Sequence, residues 1–252
     1  MPIQRFQRSD QSNIRRIFAV LRFVAAIVVV KVTVEVVLGY RFYVPPDFSV
    51  AFLMGRERYF FGLYRWAFYL HLLAGPPTLL IGLLLVNNRF RQARPRWHRQ
   101  LGKLQVVLVL GLLLPSGFFM SFYAQSGPPA GASFLLLTFL TAYTLIMGWR
   151  TAVQRRFVAH RAWMFRNYAL LSSAVVLRIF GGIGQVLQIR EQLYYTTIAW
   201  IGWCLPLLFV ECVLRYRSRR ARHGQNAVAR SGVRLSPSLA AMKRPMMAGQ
   251  TD

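Results

Sequence analysis

The chain has 252 residues, 32 Lys+Arg against 7 Asp+Glu, a formal charge of +25 and 55% hydrophobic residues. This combination excludes disorder over most of the length, because disorder requires low hydrophobicity. Several apolar runs are also too long for the helices of a soluble domain. What remains is an all-α polytopic membrane bundle with basic links.

The start, MPIQRFQRSDQSNIRR, has no small-residue cleavage site ahead of a short apolar core, so residues 1–16 read as a polar N-terminal segment and the first apolar run as a retained span. Six spans are predicted in chain order: Ile17–Gly39, Gly62–Val86, Leu104–Phe122, Ala132–Trp149, Ala162–Gln188 and Tyr194–Leu214. Each is near the roughly 20 residues that a spanning helix needs. None alternates polar and apolar positions, which excludes a barrel. Cys204 and Cys212 share the last run, about 12 Å apart along a helix and beyond the reach of a disulfide.

Basic residues crowd alternate connections. Arg5, Arg8, Arg15 and Arg16 precede the first span. Arg89, Arg91, Arg94, Arg96, Arg99 and Lys103 follow the second, and Arg150, Arg155, Arg156 and Arg161 follow the fourth. A further run, from Arg215 to Arg244, follows the sixth. The other connections hold few: Arg41, Arg56 and Arg58 after the first, and Arg190 after the fifth. The positive-inside rule then places both termini in the cytoplasm. It also accounts for the charge without nucleic acid, since no folded domain would present these residues to one. Residues 215–252 are basic and aperiodic; they read as a disordered tail, His223 included, lying near anionic headgroups.

The middle of the chain repeats. RPRWHRQLGK joins spans two and three, and RRFVAHRAWMFR joins spans four and five. Both set a His-Arg pair, His98-Arg99 and His160-Arg161, at the start of the following helix, which suggests two like hairpins in a four-helix core. The segments HLLAGPPTLLIG from His71, RPRWHRQLGK, and AHRAWMFRNYALLSSAVVLRI resemble the bacterial membrane family known as domain of unknown function 2306, over roughly residues 62–215. The resemblance implies a helical core in the cell inner membrane. It implies no activity, so function is a matter for the residues.

Ionisable groups inside spans cost about 2.5–3.5 kcal/mol each on insertion scales, which makes them functional pointers. Lys31 and Glu35 are i,i+4 partners in span one. Arg65 enters span two early, His71 lies about 13 Å down it, and Arg178 lies about 15 Å from the same end of span five. These five groups form either a small-anion or lipid-headgroup site, with Arg178 and Arg65 as anion-binding groups, or a structural ion-pair network. Pro76 and Pro77 leave carbonyls near Leu72 and Leu73 without helical donors and predict a kink below His71.

His98 and His160 sit at one depth, as histidines that hold a b-type haem do. Arg99, Arg161 and Arg166 would neutralise its propionates. Such a protein would pass electrons between a quinone and a redox partner. The alternative for the same pairs is contact with lipid phosphate at helix N-termini. No HExxH, P-loop, Rossmann glycine motif or nucleophile elbow occurs, and seven acidic residues leave little room for paired-carboxylate catalysis. A non-catalytic membrane scaffold is the remaining reading.

Overall fold

The computed structural model describes residues 3–50, 52–189 and 191–232, with side-chain surroundings for 16–17, 19–50, 52–189 and 191–220. The described residues form helices: α1 (Ile3–Leu38), α2 (Glu57–Tyr59), α3 (Arg65–Leu85), α4 (Asn88–Ala93), α5 (Pro95–Val107), α6 (Leu114–Ser121), α7 (Pro128–Val153), α8 (Phe157–Leu171), α9 (Ser173–Val186) and α10 (Gln192–Gly232). Two wide π-helical segments, Phe60–Tyr64 and Leu108–Leu113, join α2 to α3 and α5 to α6. Helix is the form a chain must take in hydrocarbon, where every backbone donor and acceptor needs an internal partner. Large apolar side chains such as Leu63, Leu73, Val107 and Leu205 face outward, the arrangement expected where the surrounding solvent is lipid.

Among the described residues five helical stretches are long and apolar enough to cross a membrane: Glu57–Leu85, Pro95–Ser121, Pro128–Val153, Phe157–Val186 and Gln192–Arg220. All of the first predicted span but Gly39 lies within α1, which carries Arg22, Lys31 and Glu35 and stands outside these five. All five begin earlier than their apolar runs, two of them within a basic segment. Pro95, at the first turn of α5, has no N–H to lose and a fixed φ suited to a helix start, so the basic segment ahead of Leu104 is helical too. Phe157 opens α8, likewise ahead of Ala162.

The chain divides into two compact units, Met1–Val210 and Glu211–Asp252. In the second, the described residues are helical to Gly232. These are the first residues of the tail expected to be disordered from residue 215; RYRSRRARH contains no Gly or Pro, and arginine is a good helix former. Residues 233–252 and Arg190 lie outside the described residues.

Within the first unit, packing depends on small residues and buried polar bonds, as expected where apolar burial drives little. A Cβ added at Gly148 of α7 would lie 2.7 Å from Met164 Cε of α8. The same close approach lets Asn167 Nδ2 donate to the Thr141 carbonyl at 2.9 Å and to Thr144 Oγ1 at 3.1 Å. At Gly82 of α3, an added Cβ would meet the Tyr168 ring of α8 at 2.7 Å. Gln105 of α5 donates to the Thr78 carbonyl of α3 at 3.0 Å. Helices α5 and α8 thus both pack on α3. Ser133 of α7 donates to the Ala199 carbonyl of α10 and accepts from Trp203 Nε1, each at 2.9 Å. Val29, Val32, Leu79, Val109, Leu145, Leu171 and Val175 form the shared apolar core.

Candidate functional site

The expected kink at Pro76-Pro77 does not interrupt α3; the non-helical residue of this stretch is Gly62, at φ −84° and ψ −148°. The loss of a helical donor has a visible consequence all the same. Pro76 cannot donate to the Leu72 carbonyl, and Tyr40, in the 3-10 turn Gly39–Phe42 after α1, donates its hydroxyl there instead.

Residues 40–72 build an aromatic cluster around Tyr43, Leu53, Phe60, Tyr64 and Phe68, joined by Phe119 and Tyr123. Phe52 stacks on Phe68 at 5.6 Å, and Tyr43 meets Phe68 edge-on at 5.3 Å. Such pairs contribute about 0.5–1.5 kcal/mol each beyond area burial. Arg56 is buried inside this cluster, 5% exposed. Its Nε donates to the Phe52 carbonyl at 2.7 Å. Its Nη1 donates to Tyr59 Oη at 3.1 Å, Tyr64 Oη at 3.0 Å and the Tyr123 carbonyl at 2.8 Å. Its guanidinium carbon lies 4.9 Å from the centre of the Phe52 ring. Oxygens and a π face hold the charge here; no carboxylate is among its contacts.

Below this cap lies a cavity of about 460 Å³, walled by α3, α6, α7, α8, α9 and the start of α10. Its walls are mostly apolar. Its ionisable residues are His71, Arg56 and Arg178, with Tyr43, Tyr64, Tyr123 and Tyr195; among the described residues neither Asp nor Glu lines it. The size and character match a small-molecule site, apolar with a few placed polar groups. Pro115 removes a donor from the π segment above it, and Ser116 donates to the Leu112 and Leu113 carbonyls at 2.6 and 2.9 Å. Its one hydrogen thus committed, Ser116 Oγ accepts from His71 Nδ1 at 3.2 Å. This fixes the ring and leaves Nε2 as the nitrogen able to accept a proton. Gly117 allows the approach, since an added Cβ would sit 3.4 Å from His71 Cε1.

The five outer groups predicted as one cluster are divided. Lys31 donates to Glu35 at 2.7 Å, and both line a second hollow, between α1 and α9, with Arg178. Arg178 lines the cavity as well, together with His71. Arg65 lines neither; its guanidinium sits 5.1 Å from the centre of the Trp66 ring.

At the opposite, basic end, His98 and His160 are each the fourth residue of their helix. Their N–H groups donate to the Arg94 and Arg156 carbonyls at 3.0 and 2.9 Å. The surroundings differ. His160 Nδ1 donates to the Gly148 carbonyl at 2.8 Å, whereas His98 Nδ1 is buried without a hydrogen-bond partner. Arg166 stacks on Trp163 at 4.8 Å; Arg99 is exposed and Arg161 half-buried. Among the described residues no group of three His, Cys, Asp or Glu is placed to hold a metal ion.

Arg56 was not singled out by sequence reasoning. It reads as one loop charge among three, and the only signal was its setting, FLMGRERYFFGLY, whose aromatic density is high for an exposed loop. No curated protein and no solved structure matches the chain. Residues 68–214, which include His71, His98, His160 and Arg178 and leave out Lys31 and Arg56, match the family described as "Predicted membrane protein (DUF2306)", and the chain belongs to that family of integral membrane proteins.

Proposed function

We propose that the protein is a binding module for an anionic small molecule or lipid headgroup, housed in the cavity between α3, α6, α7 and α9. One observation carries this reading: a single cavity of about 460 Å³ brings His71, Arg56 and Arg178 together and has no acidic residue in its wall. Arg178 has no carboxylate partner among the described residues; such a charge in a medium of low polarity is costly, and a bound anion offsets it. Arg178 offers a fork of donors to a carboxylate or phosphate. The fixed His71 ring offers Nε2 as a hydrogen-bond acceptor. The apolar remainder of the wall suits a hydrocarbon portion. With both termini cytoplasmic under the positive-inside rule, the capped end of this cavity faces the outer side of the cell inner membrane, and the basic helix starts lie against anionic headgroups.

The test is a fluorescence titration of detergent-solubilised protein with a dansylated fatty acid. Saturable binding is expected. Arg178→Gln, which keeps most of the side chain's bulk, is expected to weaken it about tenfold to a hundredfold, the loss of one charge-assisted contact. Equal affinity in the two proteins would remove the reading.

A second reading is a b-type haem between His98 and His160, serving electron transfer between a quinone and a redox partner. It is favoured by the equal helical register of the two residues and by the His160 Nδ1 bond to Gly148, which leaves Nε2 free as a ligand atom. Arg99, Arg161 and Arg166 would then meet the propionates. A Soret band lost in His98→Ala supports it; colourless protein from haem-replete cells ends it.

A further inference from the structure

We infer that the cavity is filled sideways from the bilayer, by an amphiphile with an anionic head passing between α1 and α9. The inference rests on the binding reading above and names the route and the ligand class.

The hollow between α1 and α9 is about 440 Å³ and is lined by Lys31, Glu35, Arg178, Gly182, Ile183 and Val186 among others. Arg178 belongs to this hollow and to the cavity at once. On the same turns of α9, Gly181 lines the cavity and Gly182 the hollow. Neither has any atom within 4 Å of the place where a Cβ would stand. The wall between the two spaces is therefore one helix without side chains at two successive positions, with a cation in common.

Two further observations give the direction. Ile183 and Val186 are 44% and 82% exposed, so this face of the bundle looks onto lipid tails. Lys31 and Glu35 nevertheless place a charged pair here, 2.7 Å apart and with side chains 69% and 56% exposed. Charges facing hydrocarbon are costly unless a polar group meets them, and a lipid head moving along the hollow is such a group. Glu35 is held by Lys31, so Arg178, which makes no ion pair among the described residues, stands at the inner end of the path as the stronger anion trap. The far end is tied together by contrast: Arg56 holds Phe52, Tyr59, Tyr64 and Tyr123. A ligand coming from water meets that cluster and the link between α6 and α7 at Gln125, while one coming from lipid meets the hollow between α1 and α9.

The experiment uses the full chain in phosphatidylcholine vesicles and a dansylated fatty acid, with uptake and release followed by stopped-flow fluorescence. Gly182→Trp fills the hollow without touching the cavity, and Ile183→Trp does so from the neighbouring position in case the first fails to assemble. Each is expected to slow uptake and release alike, by about tenfold or more, while leaving affinity within about twofold, because a blocked route changes rates and not the bound state. Unchanged rates in an assembled tryptophan variant overturn the lateral route. Tyr59→Phe loosens the cap; faster uptake in that variant overturns it as well, in favour of access from water. A wild-type chain that takes up no probe fails the binding reading itself, a result distinct from unchanged rates with intact affinity.

Discussion

The two ends of this bundle treat their histidines differently. At the basic end, α7 and α8 are pressed together through Gly148, and His160 and Asn167 spend their hydrogen bonds on α7 carbonyls and a hydroxyl. At the opposite end, the helices stand apart around about 460 Å³ of space. His71 there is held by Ser116, and Arg178 by no carboxylate among the described residues. The lesson is that polar groups in a membrane protein serve assembly where they find one another; where they do not, they are the groups to test against a ligand. Register alone does not distinguish the two, since His98 and His160 occupy equal helical positions yet only His160 has a partner for Nδ1.

The contrast is open to attack at both ends, and the effects should fall in order. The largest is expected from Gly82→Leu. An added Cβ already meets the Tyr168 ring at 2.7 Å, so the larger side chain should prevent α3 and α8 from packing. Size-exclusion chromatography would show no monodisperse species; a well-behaved, fully stable variant would contradict the close packing. Next is Arg178→Gln, expected to weaken binding of a dansylated fatty acid about tenfold to a hundredfold while the thermal midpoint holds. A fallen midpoint with intact binding would move Arg178 to the structural side. Third, Asn167→Ala should cost about 1–3 kcal/mol in denaturant titration, because it leaves the Thr141 carbonyl less satisfied, with binding unaltered. The smallest is Tyr40→Phe. It should cost about 0.5–1.5 kcal/mol by losing the bond to the Leu72 carbonyl, readable as a lowered unfolding midpoint. An unmoved midpoint would mean that the carbonyl freed by Pro76 has found another donor.

Much of the fold was legible in the sequence, for a reason that also sets the limit. Apolar length reports what a segment can cross, so the five spans from α2 to α10 stand near their predicted runs. It does not report where a helix starts. Basic residues ahead of Leu104 and Ala162 are as helical as the apolar ones that follow, because arginine favours helix whether or not it enters lipid. The orphaned carbonyl before Pro76 followed from covalent chemistry alone. Its partner did not: Tyr40 is 32 residues away in the chain and reaches Leu72 only through the packing of α1 on α3. The same holds for the site. His71 and Arg178 were legible as costly groups at related depths. Arg65 was grouped with them by depth, but the face of α3 it occupies turns it to Trp66. Arg56 was hidden, because burial of a loop cation by Phe52, Tyr59, Tyr64 and Tyr123 is a property of the folded cap and not of any window of composition.

The central claim is that the cavity, and not the lipid-facing surface, holds an anionic amphiphile. Photo-crosslinking tests it most directly, using a diazirine-bearing fatty acid in phosphatidylcholine vesicles followed by peptide mapping of the full chain. Label concentrated on the cavity-lining residues Leu114, Gly117, Met120, Leu170, Leu177 and Gly181, and displaced by unlabelled fatty acid, is the predicted result. Label spread over Leu63, Leu73, Val107 and Leu205 in proportion to their exposure, and indifferent to competitor, would contradict it.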